Sequence, residues 1–219
     1  VIPGVMGVEA GQSATGDLFE AIARRAGTDV ATLCQGLEEN GPGATGLLRL
    51  TWDNGDRTVL VRSDLGGMTL GWDLSHTAAD EMHAAIEGMA MHVRIILDRM
   101  AEGGLKFDRV INAGGIPQKN DVLNQIYADV LGCEVHVPDR SPTGVGACIF
   151  AAIAAGAYET IPDAQAVMCP GTRVFKPRAD RKNAYEVLYG LFRDIYFGFG
   201  DGVSVDLGRV LPTLRAFRL

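Results

Sequence analysis

The stretch that decides the fold is "RVINAGGIPQKNDVLNQIYADVLGCEVHVPD", which runs from Arg109 to Asp139. It begins with a short apolar run that is typical of a buried parallel strand. Two glycines and a proline follow, and apolar residues then recur at helical spacing until Gly132. "EVHVP" predicts a second strand. A strand, a glycine turn, a helix and another strand in this order predict an α/β layer fold.

The rest of the chain continues this pattern. A long helix is predicted from near Ser75 to Gly103, with methionines at 82, 89 and 100 on its core face. "SATGDLFEAIARRAG", "GVGACIFAAIAAG" and "RKNAYEVLYGLFRDIYFGFG" predict further helices, and "LLRLTW" predicts a strand. In the last of these helices, regularly spaced aromatic residues are expected to pack on the domain rather than to stack on nucleic-acid bases.

Composition excludes several classes of function. The chain has 219 residues, of which 47% are hydrophobic and 21% charged, and its formal net charge is −7 without a long basic run. This argues against electrostatic binding to nucleic acid. No apolar stretch approaches the roughly 20 residues that span a bilayer, and no signal peptide is visible. The four scattered cysteines lack a C-x-x-C spacing, so we expect reduced thiols, a cytoplasmic protein and no membrane partner.

Gly114 and Gly115 are placed where a ligand could bind. They follow a predicted strand, and ligands of open α/β sheets bind beyond the carboxyl ends of strands. Glycine lacks the Cβ that would block a close approach, and the start of a helix suits a phosphate or a flat base. Pro117 fits the first helical turn and Asn120 fits a cap. The alternative is a tight connection whose glycines only satisfy backbone angles. The turn is neither G-x-G-x-x-G nor a Walker A loop.

Two other features have both a functional and a structural interpretation. His83 and Glu87 are four residues apart on the long helix and could share a metal, but no third ligand is apparent. We therefore predict surface histidines at His76, His83 and His92, and no metal site. The turn "DNGDR", which begins at Asp53, is either an active-site turn or a plain hairpin turn.

Several motifs together resemble one protein family. "AGGIPQKNDVLNQIYADVLGCEVHVPD", followed by "GVGACIFAAIAAG", resembles the carboxyl-terminal half of the FGGY carbohydrate kinases. "GVEAGQSATGDLFE", "WDNGDRT" and "AAIEGMAMHVRIILD" resemble the same family in the same order, and "NAYEVLYGLFRDIYFGFG" looks like its terminal helix. The resemblance covers nearly the whole chain. Val59 replaces a frequent proline, and "GVGAC" replaces a more usual "A-L-G-A-A", which leaves the fine specificity open.

The resemblance implies a fold and a reaction. The fold is an actin-like, ribonuclease H-like ATPase domain with a mixed sheet flanked by helices. The reaction is transfer of the ATP γ-phosphate to a hydroxyl of a ketopentose or related polyol, with ATP and Mg²⁺ as cofactors. In the family, two such domains enclose a cleft; the amino-terminal domain holds most of the sugar site and the carboxyl-terminal domain most of the ATP site. A homodimer is possible.

The resemblance also implies roles for particular residues. Gly114 and Gly115 match paired glycines beside the adenosine, and Gly16 matches a glycine that lines the nucleotide. Glu9 falls where a carboxylate faces the sugar hydroxyls. One or more further nucleotide contacts are expected from the turn that follows the glycines, at Gln118, Lys119 and Asn120.

We expect this chain to be part of a longer protein. The family's general base is an aspartate upstream of "EAGQS", followed by a glycine-threonine-serine phosphate turn, and neither is among these residues. The prediction is therefore an ATP-binding domain over 1–160 without its first strands, and a helical extension over 161–219. It has no catalytic residue and is inactive alone. The alternative function is a non-catalytic, actin-like nucleotide-binding module with a regulatory or assembly role.

Overall fold

Helices and strands alternate along the chain in the computed structural model, which describes residues 4–107 and 109–218. The α-helices are α1 (Gly16–Ala26), α2 (Val30–Leu33), α3 (Ala78–Glu102), α4 (Gly115–Lys119), α5 (Asp121–Leu131), α6 (Pro142–Ala154), α7 (Ile161–Met168), α8 (Lys182–Gly200) and α9 (Val210–Phe217). The strands are β1 (Leu48–Leu50), β2 (Met68–Leu70), β3 (Val110–Ile111), β4 (Val135–Pro138) and β5 (Thr172–Phe175).

The strands form two small sheets. β1 and β2 are antiparallel, with Leu48 opposite Leu70. In the second sheet β4 lies in the middle, parallel to β3 and antiparallel to β5. The predicted parallel pairing around the glycine turn is confirmed, and the sheet is mixed. The predicted burial of β3 is wrong, because Ile111 is 53% exposed.

α3 is the central helix of the core. Thr77 and Asp80 form a reciprocal capping box at its start, which satisfies backbone N–H groups that the first turn leaves free. The helix packs against α1, α5, α8 and β1, and every residue from 82 to 92 is buried. β1 passes so close that a side chain at Gly88 would collide with the Arg49 carbonyl. The predicted core position of Met82 and Met89 is confirmed.

The prediction of surface histidines is wrong. His83 and His92 are each 1% exposed, and the His76 ring bonds the Thr45 carbonyl at 2.7 Å. The sequence pattern misled because α3 is covered on all sides, so a polar position on the helix does not mean a solvent-facing one. Some of the buried polar side chains of α3 have partners: Glu87 accepts a hydrogen bond from the Gly43 amide.

Residues 161–218 share the core and the sheet of the residues before them. As predicted, α8 turns its aromatic residues inward, and Tyr185, Phe192 and Tyr196 are buried. The region was expected to be helical, but it also supplies β5, which pairs with β4 through Phe175 and Val135. "TRVF" was not recognised because it is a short, largely exposed edge strand without an apolar run. Within the described ranges, no helix is both long and apolar enough to cross a bilayer.

Candidate functional site

Backbone conformation explains why one of the two residues of the turn is glycine, but not the other. Gly114 has a φ of +118°, which residues with a side chain rarely adopt, so the connection itself favours glycine there. Gly115 has no such constraint, and a Cβ built on it would meet no described atom within 4 Å apart from its chain neighbours and the backbone of its own helix. The backbone conformation thus explains the glycine at 114. At Gly115 the absence of a side chain leaves a space that no other side chain fills.

A buried asparagine braces this turn. Asn124 of α5 is fully buried; its amide group donates to the Pro117 carbonyl at 2.7 Å and accepts from the Asn112 side chain at 3.0 Å. Asn112 lies just beyond β3, and Pro117 lies within α4. The end of the strand and the short helix are therefore both tied to α5. The sequence signal was a polar residue placed directly after Leu123, within an otherwise apolar helix face.

Asn120 joins the two helices that follow the glycines. Its side chain accepts from the Leu123 amide at 2.9 Å and caps α5, as predicted. Its amide group also donates to the Cys34 sulfur at 3.4 Å, which connects the turn to the end of α2. Burial raises the pKa of the Cys34 thiol, so this side chain stays neutral at physiological pH.

A cavity of about 980 Å³ opens beside the turn. Apolar side chains supply much of its wall, while amides and charged groups supply the rest. This combination is typical of sites for small organic ligands, in which a few polar groups fix the orientation. The wall is formed by Gly16, Phe19, Glu20, Val30, Ala31, Cys34, Gln35, Leu37, Glu38, Asn40, Gly115, Ile116, Lys119, Asn120, Asp121, Val122, Gln125, Ile126, Phe175, Arg178 and Arg181.

Two arginines on this wall are held in place. The Arg178 guanidinium donates to Asp129 at 2.6 and 2.9 Å, and the Arg178 backbone amide donates to the same carboxylate at 2.8 Å. The Asp129 side chain is completely buried. Arg181, at the start of α8, donates to the Asn40 carbonyl at 2.7 Å. The cavity therefore has two anchored arginines on the side of α8, one of which is paired with a buried carboxylate.

The structure brings four of the predicted nucleotide residues together. Gly16, Gly115, Lys119 and Asn120 all lie on the cavity wall. Gly16 lets α1 start directly against α4, since a Cβ there would come within 2.9 Å of the Ile116 side chain. Gln118 and Gly114 are next to these residues but are not part of the wall, and neither is Glu9.

Glu9 lies in a separate segment without regular secondary structure. The Glu9 side chain is exposed. Hydrogen bonds made by Gly11 and Gln12 attach the segment to the rest of the domain. The Thr58 hydroxyl accepts from the Gly11 amide at 2.9 Å and donates to the Gly11 carbonyl at 2.7 Å. The Gln12 side chain donates to the Met89 carbonyl at 2.7 Å. The predicted sugar-side residue and the cavity are thus presented by different parts of the chain.

Comparison with known proteins places this arrangement in a family. The profile described as "FGGY family of carbohydrate kinases, C-terminal domain" matches residues 1–155. The chain belongs to the FGGY family. This FGGY chain is 36% identical to the ribulokinase of Shouchella clausii over 99% of its own length, and 38% identical to the ribulokinase of Geobacillus thermodenitrificans over 96%. It spans about two fifths of these relatives, 42% and 41% of their lengths.

Solved structures share the fold. A xylulose kinase from Brucella ovis superposes with a TM-score of 0.76 at 19% identity, over 87% of the FGGY chain and 40% of the kinase. A xylulose kinase from Rhodospirillum rubrum gives 0.71 at 24% identity, over 93% and 39%. A glycerol kinase from Plasmodium falciparum, solved with ADP, gives 0.68 at 17% identity, over 88% and 37%. These matches confirm the predicted actin-like ATPase fold.

Proposed function

We propose that this FGGY chain is the ATP-binding part of a sugar kinase that phosphorylates ribulose or another ketopentose, or a related polyol. The observation that carries the proposal is the cavity beside Gly115, where the backbone is open and the fold itself places nothing. The names of the relatives support a ribulokinase reaction, and the glycerol kinase solved with ADP supports a nucleotide ligand.

The chemistry of the cavity fits adenosine. Phe19, Ile116 and Phe175 supply apolar surface against which a flat base can lie, and Gln35 supplies an amide group to its polar edge. α4 has only five residues, so its dipole contributes little. This favours contact of the base with the glycine turn over capture of a phosphate by the helix.

Bound ATP supplies the phosphoryl group, and the residues of this chain orient it. Phosphoryl transfer depends mainly on positioning and on stabilisation of charge. In the proposal, Gly16, Gly115 and Asn120 hold the adenosine side, Lys119 and Gln118 extend these contacts, and Glu9 holds a sugar hydroxyl. The proposal assigns the general base to the upstream part of the protein and assigns no base to this chain.

Mg²⁺ enters the proposal as a partner of the ATP phosphates. Mg²⁺ keeps several waters and binds substrate phosphates with one or two carboxylates, rather than in an all-protein cage. In residues 4–107 and 109–218, no group of three His, Cys, Asp or Glu side chains is arranged to hold a metal. We therefore assign no Mg²⁺ ligand to this chain.

The test of the function is sugar-dependent turnover by the full-length protein. Purified enzyme is incubated with ATP, Mg²⁺ and a panel of ketopentoses and polyols, and ADP production is measured in a coupled assay. We expect ribulose to stimulate ADP production. ATP binding without stimulation by any sugar would instead support the non-catalytic nucleotide-binding module, which no specific observation in the structure favours.

Glu9→Gln is expected to raise the KM for the sugar about fivefold and to leave the KM for ATP within twofold. A hydrogen bond to a charged group contributes about 1 kcal/mol more than a neutral one, and the glutamine amide retains the neutral bond. Steady-state kinetics on the full-length enzyme measure both constants. An equal rise in the two KM values would contradict a role at the sugar and would point to folding or domain closure.

A further inference from the structure

A buried carboxylate joins two helices to one surface loop. Asp56 is 1% exposed, and its carboxylate accepts backbone hydrogen bonds from Val59 at 3.1 Å and Leu60 at 2.9 Å. The same carboxylate accepts from the Tyr196 hydroxyl of α8 and lies 3.2 Å from His92 Nε2 of α3. The Asp56 side chain therefore attaches the loop to the core.

The polar atoms of this cluster satisfy one another. The other ring nitrogen of His92 lies 3.1 Å from the Thr51 hydroxyl, so both ring nitrogens have a polar partner. Burial raises the pKa of Asp56, but the hydrogen bonds from His92 and Tyr196 outweigh burial and hold this pKa well below its usual range. The carboxylate stays ionised and keeps all of its donors.

The loop that Asp56 holds, residues 57–62, is closed and strained. The backbones of Asp56 and Arg62 exchange two hydrogen bonds of 2.7 and 2.8 Å, and the Arg62 guanidinium donates to the Gly200 carbonyl at 3.2 Å. Val61 has a φ of +55°, which is unfavourable for a β-branched residue. Such strain persists only where surrounding contacts over-determine the backbone, and it occurs preferentially at functional sites.

The loop in turn holds the segment that contains Glu9. Thr58 makes both hydrogen bonds to the Gly11 backbone, and Gly11 is two residues from Glu9. This segment has no secondary structure of its own, and side-chain hydrogen bonds locate it. They come from the Thr58 hydroxyl, from the Gln12 side chain and from the Asn54 amide group, which donates to the Ser13 carbonyl at 3.1 Å.

We infer that Thr58, fixed by the Asp56–His92–Tyr196 cluster, is a positioning residue for the sugar side of the site. It acts through the Gly11 backbone on Glu9 and does not touch the sugar itself. The inference rests on the proposed function and deepens it, because it assigns the "DNGDR" turn and the residues after it to substrate positioning. The turn is thus more than the connection between two strands.

The test is Thr58→Val in the full-length enzyme, which removes both hydrogen bonds at nearly constant volume. We expect the sugar KM to rise about fivefold, while the KM for ATP changes less than twofold. Thr58→Ser keeps the hydroxyl and should restore most of the sugar affinity. Thr213→Val is the matched control, because among the described residues its hydroxyl bonds only the Arg209 carbonyl, at the start of α9. An unchanged sugar KM, or equal rises for both substrates, would overturn the inference.

A double-mutant cycle with Glu9→Gln separates the inference from the proposed function. If Thr58 acts through Glu9, the double variant should bind sugar no more weakly than the worse single variant, because coupled residues are not additive. If the increases in the sugar KM of the two single variants multiply in the double variant, Thr58 acts independently of Glu9, and the inference is overturned. Absence of sugar-dependent turnover in the unmodified enzyme would refute the proposed function instead.

Discussion

Gly115→Val is expected to weaken ATP binding tenfold or more while the helix content stays unchanged. The fold tolerates the new side chain, because Gly115 has ordinary backbone angles and no protein atom lies within 4 Å of a Cβ built there. The valine instead projects from the cavity wall into the space proposed for adenosine. The measurement is calorimetric titration with ATP, together with circular dichroism to follow the helices.

Two further variants make this result specific. Gly115→Ala adds a single methyl group and should cause a smaller loss of affinity than valine. Gly66→Val introduces the same side chain at an exposed glycine that also has open space but lies outside the cavity wall. Its ATP affinity should equal that of the unmodified protein. A folded Gly115→Val protein with unchanged ATP affinity would refute the placement of the nucleotide.

Asp129→Ala is expected to lower the free energy of unfolding by about 3 kcal/mol. The substitution leaves the Arg178 guanidinium and backbone amide without their carboxylate acceptor, and it removes one of the two acceptors of the Gln125 side chain. Removal of one partner of a buried ion pair costs about 3–5 kcal/mol, and we expect the lower end because 34% of the Arg178 side chain is exposed. Urea denaturation followed by circular dichroism gives the change.

The matched control removes a carboxylate from an exposed ion pair. Glu102 bonds Arg99 at 2.9 Å, with 66% and 58% of the two side chains exposed. Because exposed pairs contribute about 1 kcal/mol or less, Glu102→Ala should change stability only slightly. Equal effects of the two substitutions would show that the Asp129 pair does not stabilise the domain.

The order of most helices and strands could be predicted because each follows a local rule. Helical spacing predicts α5, a short apolar run predicts β3, and Gly132 marks the end of a helix because it adopts the left-handed conformation there. β5 could not be predicted in this way. It is an edge strand whose partner, β4, lies more than 30 residues earlier, and its residues are largely exposed.

The candidate site was predictable only in part. Glycine and a cap residue after a strand are local signals, and the family resemblance added Gly16. By contrast, Phe175 and Arg178 reach the cavity from the far end of the sheet, and Phe19 reaches it from α1. Such residues are brought together by tertiary packing, for which neither spacing nor composition provides a signal. The burial of His92 was missed for the same reason.

The complete burial of the middle of α3 has a consequence for hydrogen exchange. Amides in such a helix exchange with solvent only when the whole domain opens, so those between 82 and 92 should report the global free energy of unfolding. α4, with five residues, should exchange through local opening. A nucleotide that binds beside Gly115 would then slow exchange in α4 most strongly, and mass spectrometry of peptides from the two helices would distinguish ligand contact from general stabilisation.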